Sequence, residues 1–264
     1  MRILFWNTYQ NDKINTILTE IIMENHINIV ILAEYNADIY SLITELCSNN
    51  IIMEKYITTG CKRIQIIGNI TNVKPELQTD HVSMQIINDE IILCCIHLSS
   101  QIYSNSEGVR EIEISKIIQD IQSLEIKLKT SNTIVVGDFN SNPFDKALID
   151  ARLFHSLPYY DIAKRKVRTI AGQEFQMFYN PMWNFLGDFK QPYGTHYYGG
   201  NKTDNIFFHL YDQVIIRPDL RERFVDGSLK IVTETKSRFL LKAKGIPDEN
   251  ISDHLPIIFE IKER

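Results

Sequence analysis

Polar side chains that can bind metal ions or transfer protons stand at the ends of the apolar segments of this chain. Carboxylates bind hard divalent cations and accept protons, and histidines titrate near neutral pH. Rigid strand ends can direct such groups into one cleft. The residue types therefore predict a site for metal-assisted or acid–base chemistry. Its candidate residues are Asn7, Glu34, His97, Asp138, Asn140, Asp212, Asp253 and His254.

Each of these residues taken alone has an ordinary structural explanation, because Asp and Asn are common in turns and solvated caps. The pair Asp138 and Asn140 is more specific. The two residues are two positions apart, so their side chains lie on the same side for as long as the strand continues, with Gly137 and Phe139 on the other side. This spacing predicts two oxygen-bearing side chains that hold one object.

Other metal or disulfide motifs are missing from the sequence. The four cysteines have no CxxC spacing, which argues against zinc and disulfide frameworks and favours a reducing compartment. The remaining histidines have no HxH or HExxH spacing, so we interpret them as structural or surface residues. They are His26, His81, His155, His196 and His209.

Short apolar segments rich in β-formers outnumber the helical patterns. They cover residues 2–6, 28–33, 64–70, 81–87, 91–98, 133–136, 212–216 and 255–261. Amphipathic helices are predicted over 13–25 and 108–129. The apolar face predicted for the second helix consists of Val109, Ile112, Ile117, Ile121, Leu124 and Leu128. The surplus of strands favours two packed sheets flanked by helices over a strictly alternating fold.

The composition is that of an ordinary globular protein, with 44% hydrophobic and 23% charged residues. It excludes disordered, collagen-like and disulfide-scaffold proteins. The net charge of −5 argues against a uniformly basic nucleic-acid binder. No apolar run reaches the ~20 residues of a membrane helix, and the N-terminus lacks a signal-peptide pattern. We expect a soluble, cytoplasmic protein without membrane insertion, formed by one domain over residues 1–264.

Several short motifs, in order along the chain, resemble those of the endonuclease/exonuclease/phosphatase superfamily. They are Trp6-Asn7, Leu32-Ala33-Glu34, Ile96-His97, Gly137-Asp138-Phe139-Asn140-Ser141-Asn142-Pro143, Tyr211-Asp212 and Ser252-Asp253-His254-Leu255-Pro256. The GDFN and SDH motifs are specific in combination. The resemblance implies an α/β (α+β) fold, a four-layer α/β/β/α sandwich of two packed mixed sheets with helices outside.

The same resemblance implies a role for each polar residue at the strand ends. Glu34 would be the principal ligand of a divalent metal ion, with Asp253 close to the same ion and Asn7 near the ion and the phosphate. Two further residues, Asp138 and Asn140, would orient or activate the attacking water. His254, held by Asp212, would contact the phosphoryl oxygens, and His97 would act on the phosphate or the leaving group.

The expected cofactor is Mg²⁺, with Mn²⁺ able to replace it, because carboxylate oxygens are hard ligands. The sequence departs from the family pattern at two points. Thr8 and Tyr9 follow Asn7 where several nuclease relatives have an acidic residue, and Ala33 precedes Glu34 in place of the frequent Gln. The metal shell is therefore expected to have fewer protein ligands. The identity of the general base and the number of metal ions stay open.

Residues 159–202 form an aromatic-rich segment that we predict as a substrate-facing insertion. It includes Asn180 and Trp183, and its rings would either form a small core or stack on bases and sugars. This segment has six basic and three acidic residues. Lys164 and Arg165 are candidates for phosphate contacts, and so is Arg110, which opens the second helix.

The leading hypothesis is Mg²⁺-dependent hydrolysis of phosphodiester bonds by metal-assisted, in-line attack of water, in a nuclease whose substrate is DNA. A second hypothesis is a phosphatase or phosphodiesterase of inositol phosphates, nucleotides or lipid headgroups, because fold alone does not define the substrate. A third is a binding protein that has lost catalysis. No protein partner can be inferred from the sequence.

Overall fold

The computed structural model describes residues 1–100, 107–189, 191–200 and 205–263. Its strands, in chain order, are β1 (Arg2–Asn7), β2 (Ile29–Ala33), β3 (Glu54–Lys55), β4 (Ile64–Gly68), β5 (Val73–Thr79), β6 (Val82–Ile87), β7 (Ile91–His97), β8 (Thr133–Asp138), β9 (Ser156–Leu157), β10 (Val167–Ile170), β11 (Gln173–Gln176), β12 (Phe178–Tyr179), β13 (His196–Tyr197), β14 (Phe208–His209), β15 (Asp212–Ile216), β16 (Lys230–Ile231) and β17 (Ile257–Glu260). Its helices are α1 (Asn15–Asn25), α2 (Ile39–Ser48), α3 (Glu107–Leu128), α4 (Lys146–Ile149) and α5 (Tyr160–Ala163), with 3₁₀ turns at Pro181–Phe185, Pro218–Leu220 and Ala243–Gly245.

Most of these strands belong to two large mixed sheets. The first sheet has the strand order β16-β17-β1-β2-β4-β3, and the second has the order β5-β6-β7-β8-β15-β12-β9. Two ribbons, β10-β11 and β13-β14, lie outside them. Each sheet contains a parallel pair with a helical crossover: α1 connects β1 to β2, and α3 connects β7 to β8. Parallel neighbours require such crossovers, which cover the outer face of a sheet.

Alternation along β7 shows how the layers are divided. Successive side chains of a strand point to opposite faces. The side chains in the core between the sheets are Ile91, Leu93 and Cys95, and those that pack with α3 are Ile92, Cys94 and Ile96. On the first sheet, α1 and α2 bury their apolar side chains in the same core as the strands. The predicted four-layer sandwich of two mixed sheets with helices outside is therefore confirmed.

The predicted apolar face of α3 is wrong over its first turns. The side chains of Val109 and Ile112 are 60% and 71% exposed. Arg110 and Ile114 are buried in their place, so the helix is rotated with the polar Arg110 facing the interior. Neither α3 nor any other helix of the described residues is long and apolar enough to cross a membrane.

β5 is the longest strand that the sequence did not reveal. Its residues are half-buried or exposed, and it includes Pro75. The strand lies at the edge of the second sheet, where one row of backbone groups needs no partner and proline is tolerated. An edge strand buries little surface, so its sequence does not need alternating apolar residues. Without that alternation the strand could not be predicted from the sequence.

Gly137 is required by the close approach of β7 and β8. The parallel register pairs it with Ile96, and a Cβ atom at position 137 would lie 1.9 Å from the Ile96 backbone oxygen. We expect Gly137→Ala to lower the free energy of unfolding by about 3 kcal/mol, because the strands must separate to admit the methyl group. Urea denaturation measures this change.

Gly108 provides the matched control for that substitution. It lies in α3, and no atom lies within 4 Å of the position that its Cβ would take. Gly108→Ala should therefore raise the free energy of unfolding by about 0.5–1 kcal/mol, as in other exposed helix positions. A Gly137→Ala variant as stable as the parent chain would contradict the close packing of β7 on β8.

Candidate active site

Strand pairing brings three of the predicted residues side by side in the second sheet. His97 ends β7 and pairs with Asp138, which ends β8. On the other side of β8, Asp138 pairs with Asp212, which begins the antiparallel β15. In the first sheet Asn7 ends β1 and pairs with Ala33, one residue before Glu34. These strand ends lie at the same edge of the sandwich, because the side chains from both sheets are in contact there.

Asp138 is at the centre of the cluster. Its side chain is 2% exposed. One carboxylate oxygen, Oδ2, accepts a hydrogen bond from Asn7 Nδ2 at 3.1 Å and lies 3.7 Å from His97 Nε2 and 4.0 Å from His254 Nε2. The other oxygen, Oδ1, accepts the backbone N–H of Asn140 at 2.8 Å. A single buried carboxylate thus joins residues from both sheets.

His254 and Asp212 form a buried pair on one side of Asp138. His254 Nδ1 donates to Asp212 Oδ2 at 2.8 Å. The backbone of His254 is also held, because its carbonyl accepts the indole N–H of Trp6 at 2.9 Å and its N–H donates to Ser252 Oγ at 3.1 Å. The imidazole therefore has a fixed position, with Nε2 directed toward Asp138.

The charges of this group shift the pKa values of its members. Burial alone would lower the pKa of His254, but the carboxylates of Asp212 and Asp138 outweigh it and raise the pKa to about 10. Burial alone would raise the pKa of Asp138, but the charge of His254 outweighs it and lowers the pKa. At neutral pH the cluster therefore contains an imidazolium beside an ionised carboxylate.

Glu34 and His97 lie on the other side of Asp138. Glu34 Oε1 is 3.4 Å from His97 Nε2 and 3.4 Å from Asn7 Nδ2. The backbone of Glu34 has a positive φ of 48° and donates its N–H to the carbonyl of Arg63 at 3.3 Å. Burial lowers the pKa of His97, and it outweighs the negative charges of Asp138 and Glu34, which raise that pKa. His97 is thus a neutral ring at neutral pH.

Two carboxylates of the cluster remain partly open to solvent. The side chains of Glu34 and Asp253 are 27% and 25% exposed. Such oxygen donors fit a hard divalent cation, which keeps several of its waters and needs few protein ligands. Asn7 is arranged differently, because its amide oxygen accepts the N–H of Tyr9 at 3.1 Å and its nitrogen faces Glu34 and Asp138. In this arrangement Asn7 holds the carboxylates as a hydrogen-bond donor.

No protein-family model and no curated protein matches the chain. Solved structures do match it over its whole length. A 3′ phosphatase from Neisseria bound to a product DNA hairpin has 14% identity and a TM-score of 0.58, with 100% of both chains covered. An AP endonuclease from Archaeoglobus fulgidus has 13% identity and a TM-score of 0.59, again with 100% of both chains covered.

A third structure carries the family name in its description. It is an endonuclease/exonuclease/phosphatase family protein from Leptotrichia buccalis, with 15% identity, a TM-score of 0.55 and 100% of both chains covered. The chain has the endonuclease/exonuclease/phosphatase fold. In this fold the ends of separate strands meet, which brings Asn7, Glu34, His97, Asp138 and His254 into one cluster. The neighbouring residues of the motifs lie beside them.

In this endonuclease/exonuclease/phosphatase fold the loop after β8 is rigidly supported. The strand ends at Asp138, and Asn140 has a positive φ of 46°, so strand alternation does not extend to Asn140. The Asn140 side chain donates to the carbonyl of Leu98 at 2.9 Å. Asp138 and Asn140 are therefore linked through the backbone N–H of Asn140, and their relative position follows from a turn.

Two of the predicted substrate contacts lie beneath that loop. Arg110 is 5% exposed and donates to the carbonyl of Phe139 and, at 2.7 Å, to Ser141 Oγ. Asn180 is fully buried and donates to Gln213 Oε1 at 2.9 Å, while Gln213 Nε2 donates to the carbonyl of Ser141 at 2.6 Å. The structure thus places both residues as supports of the loop, without a surface open to a substrate.

Lys164 and Arg165, two other predicted substrate contacts, lie far from Asp212. Tyr179 in β12 pairs with Ile216, at the opposite end of β15 and roughly 13 Å along the strand. Tyr160 of α5 packs on Tyr179 with a ring separation of 5.7 Å, and Lys164 and Arg165 follow α5 directly. The structure therefore does not bring these two basic residues to the cluster.

The aromatic-rich segment 159–202 is divided between two places. Phe178 and Tyr179 are buried in the sandwich, and Trp183 is half-buried in the 3₁₀ turn that follows β12. Residues near its end lie beside the cluster, since β13 begins at His196, which pairs with His254. Positions 190, 201 and 202 lie outside the described residues.

Two residues that lie beside the cluster were not among the predicted site residues. His196 was interpreted as structural or surface, but its ring centroid lies 4.7 Å from that of His254, and its Nε2 lies 3.7 Å from Asp253 Oδ2. Arg63 is an exposed residue that follows no motif, and its charge acts on His97. Neither has a sequence signal, because only pairing between distant segments brings them to the cluster.

Proposed function

We propose that the chain hydrolyses phosphodiester bonds with a divalent metal ion, Mg²⁺ with Mn²⁺ as a replacement, and that its substrate is DNA. The observation that carries this proposal is the buried Asp138 carboxylate, which lies between the His254–Asp212 pair and the group formed by Asn7, Glu34 and His97. Hydrolysis of an anionic ester needs this combination of a proton acceptor, proton donors and cation-binding carboxylates.

The side chains divide the work according to their charge. Ionised Asp138 accepts the proton of the attacking water or holds that water in line with the phosphorus atom. Protonated His254 donates to a phosphoryl oxygen, where negative charge increases in the transition state. Glu34 and Asp253 would hold the metal ion, which supplies positive charge to a phosphoryl or leaving oxygen.

The remaining polar residues keep these groups in place. Asn7 donates to both Glu34 and Asp138, so it fixes the distance between the metal-binding and proton-accepting carboxylates. Asp212 orients the ring of His254 and stabilises its charge. His97, which is neutral, lies within reach of both carboxylates and can donate to the substrate from Nε2.

The choice of DNA rests on the structural relatives and on the distribution of charge. One relative is bound to a product DNA hairpin, and another is an AP endonuclease. The exposed Arg63 lies next to Glu34, because its carbonyl accepts the backbone N–H of Glu34 just beyond the paired strands β2 and β4, and its side chain would contact a phosphate beside the scissile bond. A local contact of this kind is compatible with a chain whose net charge is −5.

Removal of the metal tests the proposed function. We expect the protein to nick supercoiled plasmid or cleave oligonucleotides in Mg²⁺ or Mn²⁺ and to be inactive in EDTA, with activity returning when Mg²⁺ is added in excess. A protein that cleaves no nucleic acid but releases phosphate from inositol phosphates, nucleotides or lipid headgroups would have the second function considered above. Absence of hydrolysis on every phosphoester would mean that the fold serves binding.

A further inference from the structure

His196, Asp253 and His254 form a compact set of donor atoms on the solvent side of the cluster. His196 Nε2 lies 3.7 Å from Asp253 Oδ2, and His254 Nε2 lies 4.0 Å from Asp253 Oδ1. One ligand atom from each of the three residues can be chosen so that all lie within 4.8 Å of one another. The set is partly open, because the side chains of His196 and Asp253 are 15% and 25% exposed.

The backbone holds these three residues together. His196 pairs with His254 as an antiparallel bridge, and Leu255 N donates to the carbonyl of Thr195 at 2.8 Å. The ring of His196 also stacks on Tyr211, with centroids 5.2 Å apart and planes at 26°. The backbone bridge and the stacking on Tyr211 therefore hold the His196 ring beside Asp253.

The orientation of His254 is typical of a metal-binding histidine. Such a ligand commonly donates its other ring nitrogen to a carboxylate, which fixes the tautomer and the ring plane. His254 donates from Nδ1 to Asp212 at 2.8 Å and directs Nε2 toward Asp253 and Asp138. A cation at this point would contact His254 Nε2 and the Asp253 carboxylate that faces it.

We propose that His196, Asp253 and His254 bind a transition-metal ion, with Zn²⁺ as the prototype, at a site that shares Asp253 with the oxygen-lined site of Glu34 but takes its other two ligands from the histidines. Two imidazoles and one carboxylate suit Zn²⁺ or Co²⁺ and do not suit Mg²⁺. Tetrahedral ligands of Zn²⁺ lie roughly 3.4 Å apart, so separations of up to 4.8 Å need to close by about 1.4 Å at most. The fourth position is left to water.

The consequence for the proposed hydrolysis is inhibition. Asp253 is shared with the proposed Mg²⁺ site, and His254 is the proposed proton donor, so a bound Zn²⁺ removes both from the reaction. This consequence rests on the proposed function, whereas the binding of Zn²⁺ does not. A metal-binding experiment therefore separates the two.

The experiment uses the full chain in excess Mg²⁺, with Co²⁺ as a spectroscopic probe and Zn²⁺ in calorimetric titration. The parent chain should bind one equivalent, with the visible absorption of Co²⁺ that is bound to nitrogen ligands. His196→Phe keeps a ring on Tyr211 but lacks the ligand, so we expect at least about a tenfold loss of affinity, the lower limit of the losses seen around metal sites. His26→Ala, which removes an exposed histidine elsewhere, is the matched control and should leave affinity unchanged.

Activity measurements complete the test. Zn²⁺ should inhibit the Mg²⁺-dependent hydrolysis of the parent chain, whereas the hydrolysis by His196→Phe, measured relative to its own rate without Zn²⁺, should resist that inhibition. Equal Zn²⁺ affinity in the parent chain and His196→Phe would overturn the inference, even if the protein is an active nuclease. Binding that requires His196 in a protein without hydrolytic activity would support the metal site and contradict the proposed function.

Discussion

Asp138→Asn should reduce the rate of phosphodiester hydrolysis by about 10³-fold in a protein that remains folded. The substitution keeps the size of the side chain and removes the negative charge. Asp138 is buried and ionised, and it contacts Asn7, His97 and His254 within 4.0 Å. The amide can neither accept a proton from water nor balance the charge of His254, so both proposed roles are lost.

Single-turnover kinetics on a DNA oligonucleotide measure this effect without a contribution from product release. Asp161→Asn is the matched control, because Asp161 lies in α5, far from the cluster, is 87% exposed and pairs with Lys164. Circular dichroism verifies that both variants are folded. An Asp138→Asn variant with more than about a tenth of the parent rate would remove Asp138 from the centre of the mechanism.

Arg217→Met should lower the free energy of unfolding by about 3–5 kcal/mol. Arg217 forms two hydrogen bonds with Glu125, at 2.8 and 3.2 Å, and both side chains are buried, with exposures of 3% and 7%. Its guanidinium also lies 4.0 Å from the ring centroid of Phe178. Removal of the arginine leaves the Glu125 carboxylate in the interior with Thr133 as its hydrogen-bond donor.

Urea denaturation measures this loss, and the melting temperature should fall by roughly 6–20 °C for a chain of this length. Arg217→Met combined with Glu125→Gln should recover part of the stability, because no unpaired charge then remains buried. Lys116→Met is the control, since Lys116 is 68% exposed and its ion pair with Asp120 contributes little, about 0.5 kcal/mol. Equal effects of the buried and exposed substitutions would contradict the structural role of the Arg217–Glu125 pair.

The strands and the polar residues at their ends could be predicted from the sequence. The predicted strand 212–216 coincides with β15, and the predicted segment 91–98 differs from β7 by one residue at its end. These signals are local, because a buried strand requires consecutive apolar side chains whatever its neighbours are. The ordered motifs around Asp138 and His254 then indicated which fold arranges the strands.

The helix α3 shows where local patterns fail. Its apolar residues fit a face that includes Val109 and Ile112, yet the helix buries Arg110 and Ile114 at its beginning. The hydrogen bonds from Arg110 to Phe139 and Ser141 decide this rotation. Such bonds join segments that are distant in the sequence, so the hydrophobic periodicity of the helix alone does not predict them.

Charge patterns in the sequence have the same limitation, because they do not show where a charged segment lies in the fold. The basic run at Lys164 and Arg165 is an example. In the sequence it lies between the GDFN motif and Asp212, which favoured a position beside the site. The pairing of Tyr179 with Ile216 instead puts this part of the chain at the opposite end of β15. Only sheet topology determines which end of a strand a neighbouring segment reaches.

The sequence by itself determined the fold class of this protein and the residue types of its candidate site, because burial patterns and the motifs at strand ends are properties of short segments. Only the tertiary structure decided which groups meet. It joined Asp138 to Asn7 across the two sheets and brought His196 to Asp253 and His254 through β13. These contacts depend on strand register and sheet packing, which no single segment contains.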